Sequence, residues 1–331
     1  MTRTYDVVGI GNAIVDVIAR VEDSFLAEMG VERGVMTLID TARARELYSA
    51  MGPGREVSGG SAANTIAGLA ALGARTAYVG KVRDDQLGAI FAHDLRAQGA
   101  EYTTPMAPAD HEAETGRCLV LVSPDGERSM STYLGISEFL GPDDIDATQI
   151  ARAEWIFLEG YRFDGPDSHA AFAKAISTAK RAGGKVAVTL SDPFCVDRHR
   201  DAFRMMVREG TDLLVANEHE LKSLYETESL ETAMTLAEAE VPVTACTVGP
   251  KGVHLLAGGA RVHAEAVGTE VVDVTGAGDL FAAGFLWGLI RGQDWLTAAR
   301  MGNIAAAEII SHIGARPEAD LRALVAEVMA G

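Results

Sequence analysis

Short runs of β-branched and other apolar residues alternate with alanine-rich segments of helical spacing through most of the chain. The apolar runs predict strands in TAYVGKV, EWIFLEG, KVAVTL, DLLVAN, PVTACTVG and GVHLLA, and the spacing predicts helices in SAANTIAGLAALG and HAAFAKAISTAKRAG. Strands that alternate with helices in this way form a parallel sheet with helices on both faces. We therefore expect a doubly wound α/β fold.

Two stretches, near residues 12–40 and 112–137, look like strands without intervening helices. The second contains CLVLVSPDGERSMSTYL, a predicted hairpin with its turn at Pro124-Asp125-Gly126. We expect these insertions to pair into a small second sheet that forms a lid beside the main one. Because the sequence has no low-complexity linker, residues 1–331 are predicted to form a single domain.

The stretch VVDVTGAGDLFAAGFLWGLI, from Val271 to Ile290, combines three signals. Its valines predict a buried strand, its glycines break that strand, and the uncharged run after Asp279 predicts a buried helix. Asp279 could be a plain N-cap of this helix. Alternatively, the turn could cradle an anion with its free N–H groups while Asp279 is held at the helix mouth as a functional group.

Other polar residues lie where a ligand could reach them. Ser61 and Asn64 follow a Gly-Gly turn, and Asn12 and Asp16 lie at even spacing in an apolar segment. Amides and carboxylates of this kind suit the hydroxyl groups of a sugar. An ordinary turn and an edge strand with Asp16 in water remain the structural alternatives.

Two further segments admit both a structural and a functional interpretation. DLLVANEHEL places Asn217 and Glu220 at the carboxyl end of a predicted strand, where open α/β sheets bind ligands. These oxygens could hold a hydrated Mg²⁺, or Asn217 could simply cap a helix. TVGPKGV, residues 247–253, is a glycine turn that a plain hairpin would also explain.

Charge and composition limit the classes of molecule that we expect this protein to bind. The 331-residue chain carries 47 acidic and 29 basic side chains, a formal charge of −18, which repels nucleic acid and anionic membrane surfaces. Three separated cysteines indicate a reducing compartment, and no histidine pair has zinc-site spacing. Because no signal-length or membrane-spanning apolar segment is present, we expect a cytoplasmic protein that binds small molecules.

Several motifs together resemble one family. GGSAANTIAGLAALG and VVDVTGAGDLFAAGF are similar to the two signatures of the ribokinase-like (PfkB) carbohydrate and nucleoside kinases. GNAIVD, NEHE, TVGPKG and the closing GARP follow in the family's order, so the resemblance covers nearly the whole chain. Within the family, RSMSTYLG and LSDPFCVDRHR look most like bacterial adenosine-phosphorylating members. Two departures are Val274, where threonine is common, and Arg83, where glycine is usual.

The resemblance implies roles for individual residues. Asp279 would be the catalytic base, and the anion hole would consist of Gly276, Ala277 and Gly278. By the resemblance Asn12, Asp16, Gly60 and Asn64 would bind the acceptor. Ser61, Tyr133 and Tyr161 are added as acceptor-side candidates, the tyrosines for the aromatic face that a base would need. ATP would contact Asn217, Thr247, Gly249, Gly252, Thr275 and Asn303. Glu220 would hold Mg²⁺ through water, and K⁺ would lie near Asp273, Thr275 and Gly314.

The sugar-binding residues cannot choose between a nucleoside and a free sugar. An adenine would need a flat apolar slot, for which Ile14, Met36, Leu38 and Leu134 are candidates together with the two tyrosines. ATP-dependent phosphorylation of adenosine is the function expected first, and a ribose or fructose kinase is the alternative. A catalytically silent nucleoside-binding protein and an NAD-binding protein are alternatives from other classes, although Ile14 replaces the third glycine of a dinucleotide fingerprint. The oligomeric state cannot be predicted.

Overall fold

The predicted alternation of strands and helices is confirmed in the computed structural model, which describes residues 3–329. The strands, numbered along the chain, are β1 (Tyr5–Ile10), β2 (Ile14–Arg20), β3 (Met36–Leu38), β4 (Arg55–Ser58), β5 (Thr76–Val79), β6 (Glu101–Tyr102), β7 (Gly116–Val122), β8 (Arg128–Tyr133), β9 (Ala153–Glu159), β10 (Lys185–Thr189), β11 (Leu213–Asn217), β12 (Val243–Thr247), β13 (Val253–Ala257) and β14 (Ala260–Ala264). The helices are α1 (Asp23–Glu28), α2 (Thr41–Ala50), α3 (Ser61–Ala71), α4 (Gln86–Ala97), α5 (Ala147–Ala151), α6 (Ser168–Arg181), α7 (Pro193–Gly210), α8 (Glu218–Leu224), α9 (Leu230–Glu240), α10 (Ala277–Ile290), α11 (Trp295–Ile309) and α12 (Leu321–Met329).

Within the described residues, nine strands form the main sheet in the order β14-β13-β12-β11-β10-β9-β1-β5-β6. Its pairs are parallel from β6 to β12, and the glycine turn of residues 247–253 reverses the chain so that β13 and β14 pair antiparallel. Apolar side chains form a core on each face: α3, α4, α10 and α11 cover one face, and α6 to α9 cover the other. The sheet is therefore doubly wound, as predicted.

The second sheet has the order β3-β8-β7-β2-β4 and is called the small sheet below. The predicted hairpin is present as the antiparallel pair of β7 and β8. The prediction of strands alone near residues 12–40 is wrong, because α1 follows β2. One face of the small sheet packs on α2 through Val17, Leu47 and Leu119, and the other face is turned toward the carboxyl ends of the main sheet.

The strand predicted just before the glycine turn is also wrong. Residues 271–274 form irregular backbone, with Val271 60% and Val274 68% exposed. Instead of joining a sheet, this segment is anchored by the N–H groups of Val272 and Asp273, which donate to the carbonyl of Ile310 at 2.8 and 3.2 Å. The buried helix that was expected after the turn is confirmed as α10. No helix between residues 3 and 329 has the length and apolar character needed to cross a membrane.

Candidate active site

A cavity of about 460 Å³ lies between the carboxyl ends of the main-sheet strands and the inner face of the small sheet. Glu159, Thr189 and Asn217 line it from the ends of β9, β10 and β11, and the first turns of α3 and α10 point into it. Ligands of open α/β sheets bind at this edge. The cavity is therefore the candidate active site.

The glycine turn places the first turn of α10 against the cavity. Gly276 is the N-cap of α10, with φ +81°, and a Cβ there would lie 2.9 Å from the Cβ of Ala315. The N–H groups of a first helical turn have no carbonyl four residues earlier in the helix to accept them. Together with the helix dipole, these groups make the turn of Gly276, Ala277 and Gly278 a place for an anion.

Asp279 is directed away from its own helix. Its Oδ1 accepts a hydrogen bond from Ser61 Oγ at 2.6 Å, and its Oδ2 accepts one from Asn64 Nδ2 at 2.8 Å. The plain N-cap interpretation is wrong, since Gly276 occupies the cap and the carboxylate faces α3. Burial raises the pKa of Asp279, and the two hydrogen bonds oppose that rise.

Asn12 and Asp16 both line the cavity, as their even spacing suggested. Arg162 Nη1 donates to the side-chain oxygen of buried Asn12 at 2.9 Å, which fixes the orientation of its amide. The edge-strand alternative for Asp16 is wrong, because β2 lies between β7 and β4. Burial raises the pKa of Asp16 to about 6, against the opposing charges of Arg316 and Arg128.

The Gly-Gly turn before α3 permits close approach. Gly60 has φ +94°, and a Cβ there would lie 2.3 Å from the carbonyl oxygen of Asn12. A Cβ on Gly59 would lie 2.4 Å from Asp16 Oδ1. Glycine at these two positions therefore allows the turn to press against both polar residues of the β1–β2 segment.

Glu159 is a site residue that sequence reasoning missed. Its carboxylate accepts the backbone N–H groups of Asn12 at 3.2 Å and Ala62 at 2.8 Å, so it joins the two segments that carry the acceptor-side residues. Burial raises its pKa to about 7. The signal was available, because EWIFLEG ends a predicted strand with a carboxylate, the same pattern that singled out Asn217.

The structural interpretation of Asn217 as a helix cap is confirmed, and the Mg²⁺ interpretation stays a prediction. Asn217 and Glu220 form a capping box at the start of α8, in which Asn217 Oδ1 accepts the N–H of Glu220 at 2.9 Å and Asn217 Nδ2 donates to Glu220 Oε1 at 2.6 Å. Both also line the cavity, and burial raises the pKa of Glu220 to about 7.

The oxygen donors near α8 are suited to bind a metal ion through its water molecules and not by direct coordination. Asp164 and Asp192 line the same part of the cavity, yet among residues 3–329 no three His, Cys, Asp or Glu side chains are placed to hold a metal together. Mg²⁺ usually keeps several waters and binds through substrate phosphates with one or two carboxylates. The donor set therefore fits a hydrated Mg²⁺ on a phosphate, and not a protein cage.

Asp273, Thr275 and Gly314 are brought together. Asp273 accepts the N–H groups of Thr275 at 3.1 Å and Gly314 at 2.9 Å. The small sheet supplies a residue that was missed: Arg128 Nη2 lies 2.6 Å from Asp273 Oδ2, and Arg128 Nη1 donates to Thr275 Oγ1 at 3.2 Å. The carboxylate that the sequence offered to K⁺ is therefore already paired with the cation of Arg128.

The remaining predicted ATP residues lie outside this cavity, at the end of β12 and beyond it. Thr247, Gly249 and Gly252 form the β12–β13 turn, where a Cβ on Gly252 would lie 2.1 Å from the carbonyl oxygen of Ala264. Buried Asn303 donates to the same carbonyl at 3.2 Å and to that of Glu265 at 2.8 Å. This arrangement brings Asn303 near the glycine turn, and none of these four residues lines the cavity.

Of the two predicted aromatic residues, the structure places only Tyr161 on the cavity wall. Tyr133 faces the opposite side of the small sheet, where its hydroxyl accepts a hydrogen bond from Thr41 Oγ1 at 3.1 Å. Side chains alternate across a strand, and on β8 the residues that line the cavity are Arg128, Met130 and Thr132.

The comparisons with known proteins assign this fold to the kinases that use ATP and a small-molecule acceptor, and they also give its family. Residues 6–321 match the model of the pfkB family carbohydrate kinases, and the chain belongs to that family. Kinases of this family generally use Mg²⁺ with ATP.

Among its relatives, the chain is similar to the adenosine kinase of Sinorhizobium meliloti, with 46% identity, a TM-score of 0.91, and 99% of this chain and 100% of that one covered. A probable sugar kinase from Rhizobium etli CFN 42 is 44% identical, with a TM-score of 0.93 over 99% of both chains. An ATP-dependent ribose-1-phosphate kinase from Halopiger xanaduensis is 33% identical over 80% of this chain and 85% of its own length.

Proposed function

We propose that this protein is an adenosine kinase, which transfers the γ-phosphoryl group of ATP to the 5′-hydroxyl of adenosine and releases AMP and ADP. The observation that carries the proposal is the composition of the cavity: Asp279 and the glycine turn lie at one end, and an apolar wall from the small sheet lies opposite. The first feature suits phosphoryl transfer, and the second suits a purine base.

In this proposal Asp279 takes the proton of the acceptor hydroxyl. The hydroxyl oxygen then bonds to the γ-phosphorus as the bond from that phosphorus to the β–γ bridging oxygen breaks, and ADP leaves. The N–H groups of Gly276, Ala277 and Gly278 stabilise charge on the transferred group, since phosphoryl transfer depends mainly on positioning and electrostatic stabilisation. Ser61 and Asn64 hold the carboxylate in place through the two hydrogen bonds described above.

Asn12 and Asp16 are proposed to bind the ribose hydroxyls, and Glu220 with Asn217 to orient the waters of Mg²⁺. Bound Mg²⁺ would neutralise phosphate charge, which a chain of net charge −18 cannot do with a basic surface. Arg128, Asp273 and Thr275 lie beside the proposed anion hole.

The acceptor assignment depends on the apolar wall. The inner face of the small sheet presents Ile14, Ile18, Met36, Leu38, Val120 and Met130 to the cavity, and Tyr161 lies on its main-sheet side. Leu38 is 42% exposed, so this surface is open to a ligand. An adenine would bury such surface at about 25 cal/mol per Å², whereas a free sugar has little apolar surface to match it. The similarity to the S. meliloti adenosine kinase supports the same acceptor.

The base assignment is tested by Asp279→Asn, which keeps the size of the side chain but cannot accept the proton. We expect turnover to fall by about 10² or more while nucleoside affinity stays within a few-fold. Asp294→Asn is the matched control, because Asp294 is a true N-cap, where asparagine replaces aspartate well. Near-wild-type turnover of Asp279→Asn in a steady-state assay would remove the base assignment.

The acceptor is tested by measuring kcat/KM with Mg-ATP for adenosine, inosine, guanosine, ribose and fructose. We expect the highest value for adenosine, and a reduced value in Tyr161→Ala but not in Tyr48→Ala, which alters a tyrosine on the other side of the small sheet, packed beside Arg117. A preference of about tenfold or more for ribose or fructose would favour the sugar-kinase alternative, to which the R. etli relative points.

A further inference from the structure

Arg316 is an arginine of the closing GARP motif that lies behind the cavity. It follows Gly314 and Ala315, which line the cavity, and its Nη2 donates to Ser58 Oγ at 3.1 Å. Ser58 ends β4 and pairs with Val15 of β2, immediately before the Gly-Gly turn that contacts Asp16. Arg316 therefore reaches from the last loop of the chain to the junction between the small sheet and α3.

The guanidinium of Arg316 has N–H donors that no hydrogen-bond acceptor among the described residues meets. Its Nε and Nη1 are buried and have no hydrogen-bond partner among the described residues. Leaving a buried donor unpaired costs about 1–3 kcal/mol, and more when the group is charged. A surrounding negative field can offset such a cost without direct pairing, because Coulomb interactions are strong where water is excluded.

The groups that act on Arg316, four through their charge and one through a hydrogen bond, come from five elements. They are Asp16 of β2, Asp279 of α10, Tyr78 of β5, Asp94 of α4 and, through the hydrogen bond, Ser58 of β4. Among residues 3–329 no carboxylate forms an ion pair with Arg316, so its charge acts on Asp16 and Asp279 of the cavity, and on Asp94, without being committed to one of them.

We propose that Arg316 is a positioning residue that keeps Asp16 and Asp279 ionised together within the cavity. The proposal rests on the proposed role of Asp279 as base, and it adds a reason why two carboxylates can stay charged in one desolvated site. Arg316 touches neither the acceptor nor ATP in this account; it acts on the two aspartates through its field.

The expected consequence is a shift in titration. Burial raises the pKa of both aspartates, and Arg316 opposes that rise at each of them. Arg316 itself stays charged near neutral pH, since burial lowers its pKa only to about 10. Removing its charge should raise both carboxyl pKa values further, so activity that needs the ionised forms should be lost at a higher pH as the solution is acidified.

Other charged and polar groups also act on the two carboxylates, and a test of Arg316 has to leave them unchanged. Arg128, Asp273 and Cys118 face Asp16, and the groups that face Asp279 are Ser61, Asn64, Glu159, Tyr161 and Glu220. Each remains in place when only residue 316 is changed.

The test compares Arg316→Gln, Arg316→Lys and Ser58→Ala. Ser58→Ala removes the hydrogen bond but leaves the charge, and it is the control for a merely structural role. We expect the acid limb of kcat/KM to move up by on the order of one pH unit in Arg316→Gln, to return near the wild-type position in Arg316→Lys, and to stay in place in Ser58→Ala. A uniform loss of activity with the limb in place would overturn the proposal.

A second measurement is independent of turnover. ¹³C NMR titration of the aspartate carboxyl carbons, assigned with Asp16→Asn and Asp279→Asn, should show both resonances titrating at higher pH in Arg316→Gln. Unmoved resonances would overturn the proposal even if the enzyme is active. Moved resonances in a chain that fails to phosphorylate any acceptor would instead support the proposal and remove the kinase role of Asp279. If Arg316→Gln does not fold, Arg316→Met, which also removes the charge but keeps an unbranched side chain, is compared with Arg316→Lys in the same titration.

Discussion

Gly59 shows how one hydrogen atom in place of a methyl group can set a binding site. The Cβ of an alanine there would lie 2.4 to 2.5 Å from all three terminal atoms of Asp16, closer than Cβ atoms approach other groups. The carboxylate would have to move, because the backbone of the turn is fixed by the hydrogen bond from Gly59 N–H to the carbonyl of Ile14 at 2.9 Å.

We therefore expect Gly59→Ala to raise KM for the acceptor by about tenfold or more, with a smaller effect on kcat, since Asp279 is untouched. The double-mutant cycle with Asp16→Ala gives the control, because alanine at residue 16 leaves nothing for the new methyl group to displace. Equal effects of Gly59→Ala in both backgrounds would show that the glycine acts on something other than Asp16.

Sequence reasoning found the site residues whose neighbours in the chain mark them. It missed the residues whose role depends on side chains that are distant in the sequence and close in the fold. Ser61, Asn64 and Asp279 follow glycine turns, Asn12 and Asp16 share one face of an apolar segment, and all five line the cavity. Arg128 and Arg316 come from segments far away in the chain, and nothing in their neighbours shows which carboxylates they will face. Tyr133 was wrongly expected at the cavity, because the prediction used its aromatic ring and did not ask which face of β8 its position in the strand presents.

Helices α10 and α11 cross at a distance that only small residues permit. A Cβ on Gly284 would lie 2.5 Å from the carbonyl oxygen of Met301, and a Cβ on Gly302 would lie 2.8 Å from the ring of Phe281. The uncharged residues after Asp279 thus allow α10 to pack closely on α11. This packing fixes the orientation in which the first turn of α10 meets the cavity.

Gly284→Ala should lower the free energy of unfolding by about 1–3 kcal/mol, because overpacking outweighs the gain in helix propensity. Gly52→Ala is the matched control, since a Cβ there meets no atom within 4 Å, and its effect should stay within about 0.5 kcal/mol. Urea unfolding followed by circular dichroism measures both. A Gly284→Ala protein as stable as the wild type would mean that the two helices can separate at little cost.

The elements were predictable wherever hydrophobic periodicity and burial agree. Central strands of the main sheet such as β9 and β11 are buried on both faces and appear in the sequence as nearly continuous apolar runs. The same signal was misleading at Val271, Val272 and Val274, since three valines without a neighbouring strand form only an exposed segment. Helix α1 was missed because its six residues are too few to show a helical period.

For the whole molecule, the cavity lies between the small sheet and the main sheet, so a ligand has to enter between these two parts. Arg128 of β8 joins the small sheet to the segment before α10 through its ion pair with Asp273. Both side chains are nearly buried, 10% and 2% exposed, so this contact is a defined point at which the two bodies meet.

If the small sheet acts as a lid, adenosine should slow amide hydrogen exchange in the hairpin of β7 and β8 and around Asp16. Helix α9 lies on the far side of the main sheet and should exchange at the same rate with and without the nucleoside, which makes it the internal reference. Arg128→Gln should speed exchange of the hairpin in the free protein. Exchange that is unchanged by ligand throughout the hairpin would show that the small sheet is fixed.

The outer face of the small sheet is covered by the chain itself, where Leu47 of α2 packs on Val17 and Leu119. An exposed apolar face of a sheet offers a surface on which a second chain can associate, and such association depends on the protein concentration. Here α2 belongs to the same chain as β2 and β7, so the cover over Val17 and Leu119 does not depend on association. The packing of this face should therefore be the same in a concentrated solution and in a very dilute one.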